Sequence, residues 1–173
     1  MKHFLFRRPA AAGPVASGIA AALVLALCAS PFAVAQLKKA PSPAGDWEFK
    51  TAPLNDRCMI SGNMQIREVG SGKTRHFSCV FQAVQSCTSG DIRTIQTDQT
   101  CTLTQTGSKV SMVSKVERIV KTDPKELMNG MDRRYMPDNF YVTISPDGDV
   151  MDGKFESMGE APVKFRRKGE LLS

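Results

Sequence analysis

The chain has 173 residues, with 23 Lys and Arg against 17 Asp and Glu, a formal net charge of +6 and five cysteines. That length allows one domain with a sizeable core and leaves no need for a second. Three of the basic residues, Lys2, Arg7 and Arg8, precede an apolar run over 19–29 and a small-residue exit at Ala33-Val34-Ala35. This is the order of a secretory signal peptide over 1–35, and without it the balance falls to 20 basic against 17 acidic side chains, which excludes a strong polyanion binder and with it nucleic acid.

The apolar run is well short of the ~20 residues that cross a bilayer as a helix, so no transmembrane segment is expected. Leu27 precedes Cys28 where lipoprotein sites carry a small residue, and Pro9 follows Arg7-Arg8 where twin-arginine signals do not. General secretion to a periplasmic or secreted location is the expectation. Cleavage before Gln36 removes 35 of 173 residues and leaves 138 with four cysteines, Cys58, Cys79, Cys87 and Cys101. An even number in an exported chain favours two disulfides. Gaps of 21, 8 and 14 positions lack the short C-x-x-C pairs of a zinc site.

Residues 36–44, QLKKAPSPA, combine two lysines and two prolines with little to bury, and read as a flexible linker. A single domain over 45–173 follows. It opens on Gly45-Asp46-Trp47-Glu48-Phe49-Lys50, where Trp47 and Phe49 share one face of an alternating strand and Asp46 and Glu48 the other. Trp47, the one tryptophan, is expected in the core.

Turn signals at Gly70-Ser71-Gly72-Lys73 and Ser89-Gly90-Asp91 divide the cysteine-bearing stretch into three strands over 58–68, 75–86 and 93–105. The first has its apolar side chains on even positions (Ile60, Met64, Ile66), the second on odd ones (Phe77, Cys79, Phe81). Antiparallel pairing of those faces needs residue numbers with an odd sum, and a sum of 145 sets Cys58 opposite Cys87. A sum of 180 in the next hairpin sets Cys79 opposite Cys101. The sequential alternative, Cys58–Cys79 with Cys87–Cys101, stays open, since sequence alone does not separate the connectivities. Gln85, Gln99 and Gln105 fall on otherwise buried positions, which suits either a polar cavity or strand ends. His76 lies on the polar face beside Arg75 and reads as an ordinary exposed histidine.

A strand over 110–118 is followed by Asp123-Pro124, which can begin a short helix that Gly130 ends. Met128, Met131 and Met136 are spaced as soft copper ligands could be, but thioethers in such spacing serve more often as adaptable packing. Strands over 139–145, 150–157 and 161–167 complete the chain. Asp147, Asp149 and Asp152 faintly match a calcium loop but lack its bidentate glutamate, and read as a solvated turn. The basic cluster Lys164-Phe165-Arg166-Arg167-Lys168 is expected to be solvated, with Arg167 on the inward parity of Val163 and Phe165.

The G-x-W of Gly45-Asp46-Trp47, together with a basic residue on the last strand, resembles the lipocalin and broader calycin barrels. That resemblance implies a barrel closed by Arg167 lying across Trp47. Eight strand segments agree with an all-β, eight-stranded antiparallel calycin-like barrel, or a strongly curved sandwich, with one short helix and two disulfides. With no nucleophile elbow, phosphate loop, paired histidines or supported carboxylate dyad, no enzyme, cofactor or metal is expected. The expected function is an exported envelope binding module holding a small or apolar ligand in the barrel, lined by Met64, Phe81, Gln99 and Gln105. The alternative is a filled barrel acting as a protein–protein interaction or inhibitor domain, its partner an envelope protein. An open interior favours the first and a packed one the second.

Overall fold

The computed structural model describes residues 40–70, 76–131 and 134–169. The expected signal peptide, the start of the expected linker and the expected turn at Ser71-Gly72-Lys73 lie outside the described residues. Eight strands follow in order: β1 Gly45–Thr51, β2 Cys58–Val69, β3 His76–Cys87, β4 Thr94–Thr106, β5 Lys109–Asp123, β6 Asn139–Ile144, β7 Val150–Glu156 and β8 Glu160–Arg167. Each pairs antiparallel with the next and β8 returns to β1, so the sheet closes as an eight-stranded barrel. Closure removes both sheet edges and is compatible with a calycin-like fold; the sandwich is ruled out.

The alternation in the sequence sets the register. On β2 and β3 every partnered pair sums to 145, from Cys58 opposite Cys87 to Val69 opposite His76. On β3 and β4 the sum is 180, with Cys79 opposite Cys101. Both bridges form as Cys58–Cys87 and Cys79–Cys101. The first pins the lower rim, and the second is buried in the core. A slip of one residue would turn every apolar side chain of these strands outward and part both cysteine pairs at once, so hydrophobic pattern and bridges fix the same register.

Here "upper" denotes the barrel end that holds residue 45 and the ends of β4 and β8, and "lower" the opposite one. Strands β3 to β5 are 12, 13 and 15 residues long, against 6, 7 and 8 for β6 to β8. The wall made by β4 and β5 therefore overhangs the lower end. The sequence reading stops β5 at 118, but the strand runs to Asp123 because two register shifts let Val116, Ile119 and Thr122 succeed one another opposite Gln99, Thr97 and Ile95. The inward period thus changes from two residues to three, which is what a β-bulge does. Against this overhang pack Met131 and Tyr135 from the β5–β6 connection, forming a second cluster with Ile92, Ile95, Val116, Ile119 and Leu127. The helical signal in that connection becomes one turn of 3-10 helix, Lys125–Met128.

The main core is built on Phe140, whose ring centroid lies 5.2 Å from Phe49, 5.8 Å from Phe81, 5.7 Å from Phe155 and 5.2 Å from Phe165. These are edge-to-face and tilted spacings favoured by ring quadrupoles. Gly62 makes room for them, since a Cβ there would sit 2.8 Å from Phe49 Cε1 and 2.0 Å from the Gln82 carbonyl. Each disulfide closes a loop of 29 or 22 residues and should stabilise by about 3 kcal/mol through the unfolded chain. The Cys79→Ala/Cys101→Ala protein should lose roughly that amount in urea unfolding, and the mature protein, cleaved before Gln36, should contain no thiol that titrates after unfolding without reductant.

Candidate functional site

At the upper end the geometry is organised by Trp47 and Arg167, partners across β1 and β8. Trp47 is fully buried, and the Arg167 guanidinium carbon lies 4.3 Å from its ring centroid, well within cation–π range. Arg167 also donates to three carbonyls: Nε to Gly148 at 2.8 Å, Nη1 to Ala44 at 2.6 Å and Nη2 to Ser42 at 3.0 Å. The indole Nε1 donates to the Pro43 carbonyl at 2.8 Å, and Gln105 Nε2 to that of Pro41 at 2.8 Å. Residues 41–44, which read in the sequence as the end of a flexible linker, are therefore a strap across the barrel top. Polarity misled that reading, because the strap is held through its own carbonyls. Gly45 belongs to the same arrangement: its φ is +137°, and a Cβ would fall 2.2 Å from Arg167 Nη1.

Of the residues expected to line a cavity, Met64, Phe81 and Gln99 are 2%, 5% and 2% exposed. Met64, Phe81 and Gln99 are register partners in one row across β2, β3 and β4 and are among the residues of one hollow of about 590 Å³; Met64 and Phe81 also belong to the main core, Gln99 is bonded to Asp138, and Gln105 is at the upper rim. A larger hollow of about 850 Å³ runs over β1, β2, β7 and β8, with Glu48, Lys50, Asn63, Asp152, Lys164 and Arg166 among its residues. That of about 590 Å³ continues from Asn63 across Gln65, Val80, Gln82 and Asp98.

At the lower end, a polar cluster joins the β5–β6 connection to the barrel. Asp138 is fully buried. Its Oδ2 accepts from Gln99 Nε2 at 2.6 Å and from the Tyr135 hydroxyl at 2.9 Å, while its backbone N–H donates to Gln99 Oε1 at 3.1 Å. Gln99 Nε2 also donates to Thr97 Oγ1 at 2.9 Å. Pairing of β5 with β6 ends at Met112 and Phe140, and there Ser114 donates its hydroxyl to the Asp138 carbonyl at 2.6 Å and its N–H to Asn139 Oδ1 at 2.8 Å. Asp138 thus splices a seam where the ladder stops. Its Oδ1 has no hydrogen-bond partner. The Ser157 hydroxyl donates to the Met136 carbonyl at 3.0 Å.

Burial raises the Asp138 pKa to about 6, against the lowering effect of hydrogen bonds from Tyr135 and Gln99. Burial and the neighbouring carboxylate drive the Tyr135 hydroxyl far above its ordinary range, so it remains a donor. Sequence reasoning missed this cluster. Its one signal was Gln99 on an inward position with no partner in sight, because the partner stands 39 residues away.

Comparison with protein-family models, curated proteins and solved structures gave no match to this chain.

Two predictions follow from the two ends. Trp47→Ala should cost roughly 3–5 kcal/mol and Arg167→Ala less, with a coupling of at least ~0.5 kcal/mol in a double-mutant cycle; additive effects would mean that the strap alone holds Arg167. For Asp138, a raised folded-state pKa means stability that is full below the unfolded value of 3.8 and lost as pH rises through about 6. Urea unfolding should therefore show the protein gaining up to about 3 kcal/mol between pH 7 and pH 4 from this group. Asp138→Asn, whose amide fits the same bonds, should flatten that dependence and cost little at pH 7.

Proposed function

We propose that this protein is an exported, non-catalytic interaction domain of the calycin-like type, in which a filled barrel serves as a scaffold and the outer wall meets a protein partner. The observation that carries this reading is the packed interior. Five phenylalanine rings and Trp47, each no more than 5% exposed, occupy the space where a calycin-type barrel would hold a ligand. The hollow of about 850 Å³ on the outer wall is lined by alternating charges such as Lys50 and Lys164 near Glu48 and Asp152. Mixed, exposed charge of this kind favours specificity and rapid encounter with a complementary polar surface.

Export is the reading of the N-terminal signal, and two disulfides together with the absence, among the described residues, of a helix long and apolar enough to cross a membrane are compatible with it. The G-x-W strand opening and Arg167 support kinship with calycins, because the arginine stacks on the tryptophan and the motif glycine leaves room for its guanidinium.

Native mass spectrometry of protein purified from its host should show the bare mature mass, and a photo-crosslinker at Asn63 should give a discrete protein adduct that Lys164→Glu weakens. A small apolar molecule retained at one per chain would sink the reading. In vitro, wild-type protein should not take up benzene among the phenylalanine rings, whereas Phe140→Ala, destabilised by roughly 3–5 kcal/mol, should bind it in the space left by the ring.

A further inference from the structure

The lower mouth of the barrel contains a cavity of about 180 Å³ between the β1–β2 loop, the rim disulfide, the β5–β6 connection and the β7–β8 turn. Leu54, Ile60, Tyr135, Phe155 and Met158 supply its apolar walls, and Asn55, Arg57, Gln85 and Ser157 its polar ones. An apolar cavity of about 150 Å³ is large enough to admit benzene, so the space suits a single six-membered ring and not a larger bicyclic one.

The polar side chains that line this cavity offer free acceptors. Gln85 lines it, with one Nε2 hydrogen directed to Cys87 Sγ at 3.4 Å, which leaves the amide carbonyl and a second N–H. Ser157 lines it too, and its hydroxyl proton goes to the Met136 carbonyl, which leaves oxygen lone pairs. The Tyr135 hydroxyl proton goes to Asp138 Oδ2. Asn55 and Arg57, which do carry free donors, are exposed at the outer rim. A pocket that presents a free amide carbonyl and hydroxyl lone pairs among apolar walls favours an occupant that brings a donor, because a ring without one leaves those acceptors desolvated and unpaired. Met158, 73% exposed at the entrance, is the flexible, polarizable side chain suited to closing over an aromatic edge.

We propose that the lower mouth is a binding site for a single aromatic ring bearing one hydrogen-bond donor, the phenol class. The ring packs against Phe155 and Ile60, and its hydroxyl donates to the Gln85 carbonyl or the Ser157 oxygen. This goes beyond the interaction-domain reading and does not depend on it, since the outer hollows and the lower mouth are lined by different residues.

The test uses the full mature protein with labelled methionine methyl groups and phenol as the probe. The Met158 methyl resonance should shift saturably with phenol, and toluene, which keeps the ring but lacks the donor, should bind about tenfold more weakly. Gln85→Leu should reduce phenol to the affinity of toluene. Gly159→Leu should abolish saturation, because a Cβ there points at Leu54 Cδ2 from 3.5 Å without a clash, and the residue is not in the left-handed region. If Gly159→Leu does not fold, the Gln85→Leu comparison decides. N-acetyltyrosine amide binding as well as phenol would assign the ring to a tyrosine of another chain, and its exclusion while phenol still binds would assign it to a free small phenol. A Met158 shift that does not saturate, equal binding of phenol and toluene, or an unchanged affinity in folded Gly159→Leu would overturn the proposal.

Discussion

One stacked pair governs the upper half of this molecule. A guanidinium over an indole leaves its N–H donors free in the plane, and Arg167 directs three of them to carbonyls of two segments, the strap before β1 and the β6–β7 turn. The barrel seam between β1 and β8, the lid over its top and the approach of the Gly148 turn therefore rest on the same side chain. A lysine could supply the charge but not the planar fork, since its three donors rotate about one point. Gly45 is the complement of that fork: it is the position where a side chain would collide with the arginine.

The lower half is held in a different way. There the ladder between β5 and β6 ends early, and the chain closes the gap with side chains: Ser114, Gln99 and Tyr135 all bond to Asp138. A buried carboxyl with one unpartnered oxygen is a costly splice, because desolvation opposes the charged form. Replacing it with apolar packing would instead take from Gln99 Nε2 and the Tyr135 hydroxyl the oxygen that they share. The two ends thus contrast, one built on a charge whose donors are met by neutral carbonyls and stacked on a ring, the other on a charge that burial pushes toward its neutral form.

Between them, the interior is a solid. Phe140 meets four other phenylalanine rings, and glycines at Gly62 and Gly153 let the wall bend close around them, with a Cβ at Gly153 only 2.1 Å from the Tyr141 carbonyl. An eight-stranded barrel is just wide enough to be filled by its own side chains or to hold one small ligand. Large rings directed inward from β1, β3, β6, β7 and β8 decide for filling, which moves any recognition to the outer wall and the mouths.

The architecture was legible in the sequence because alternation is a local property. Period-two patterns on β1 to β4 state which side chains face inward, odd pairing sums follow from parity, and two cysteine pairs then fall opposite one another; Trp47 and Arg167 share an inward parity at the two ends of the chain. The same reasoning failed where the period changed. The two bulges of β5 put Ile119 and Thr122 out of phase, so the strand's last turns and the cluster they build with Met131 and Tyr135 were invisible. Tertiary structure alone decided the rest. That Gln99 bonds a buried carboxyl depends on a residue 39 positions away, whether proline-rich residues form a linker or a strap depends on where Arg167 directs its donors, and whether a barrel is open or filled depends on how five rings meet across it, which no single strand encodes.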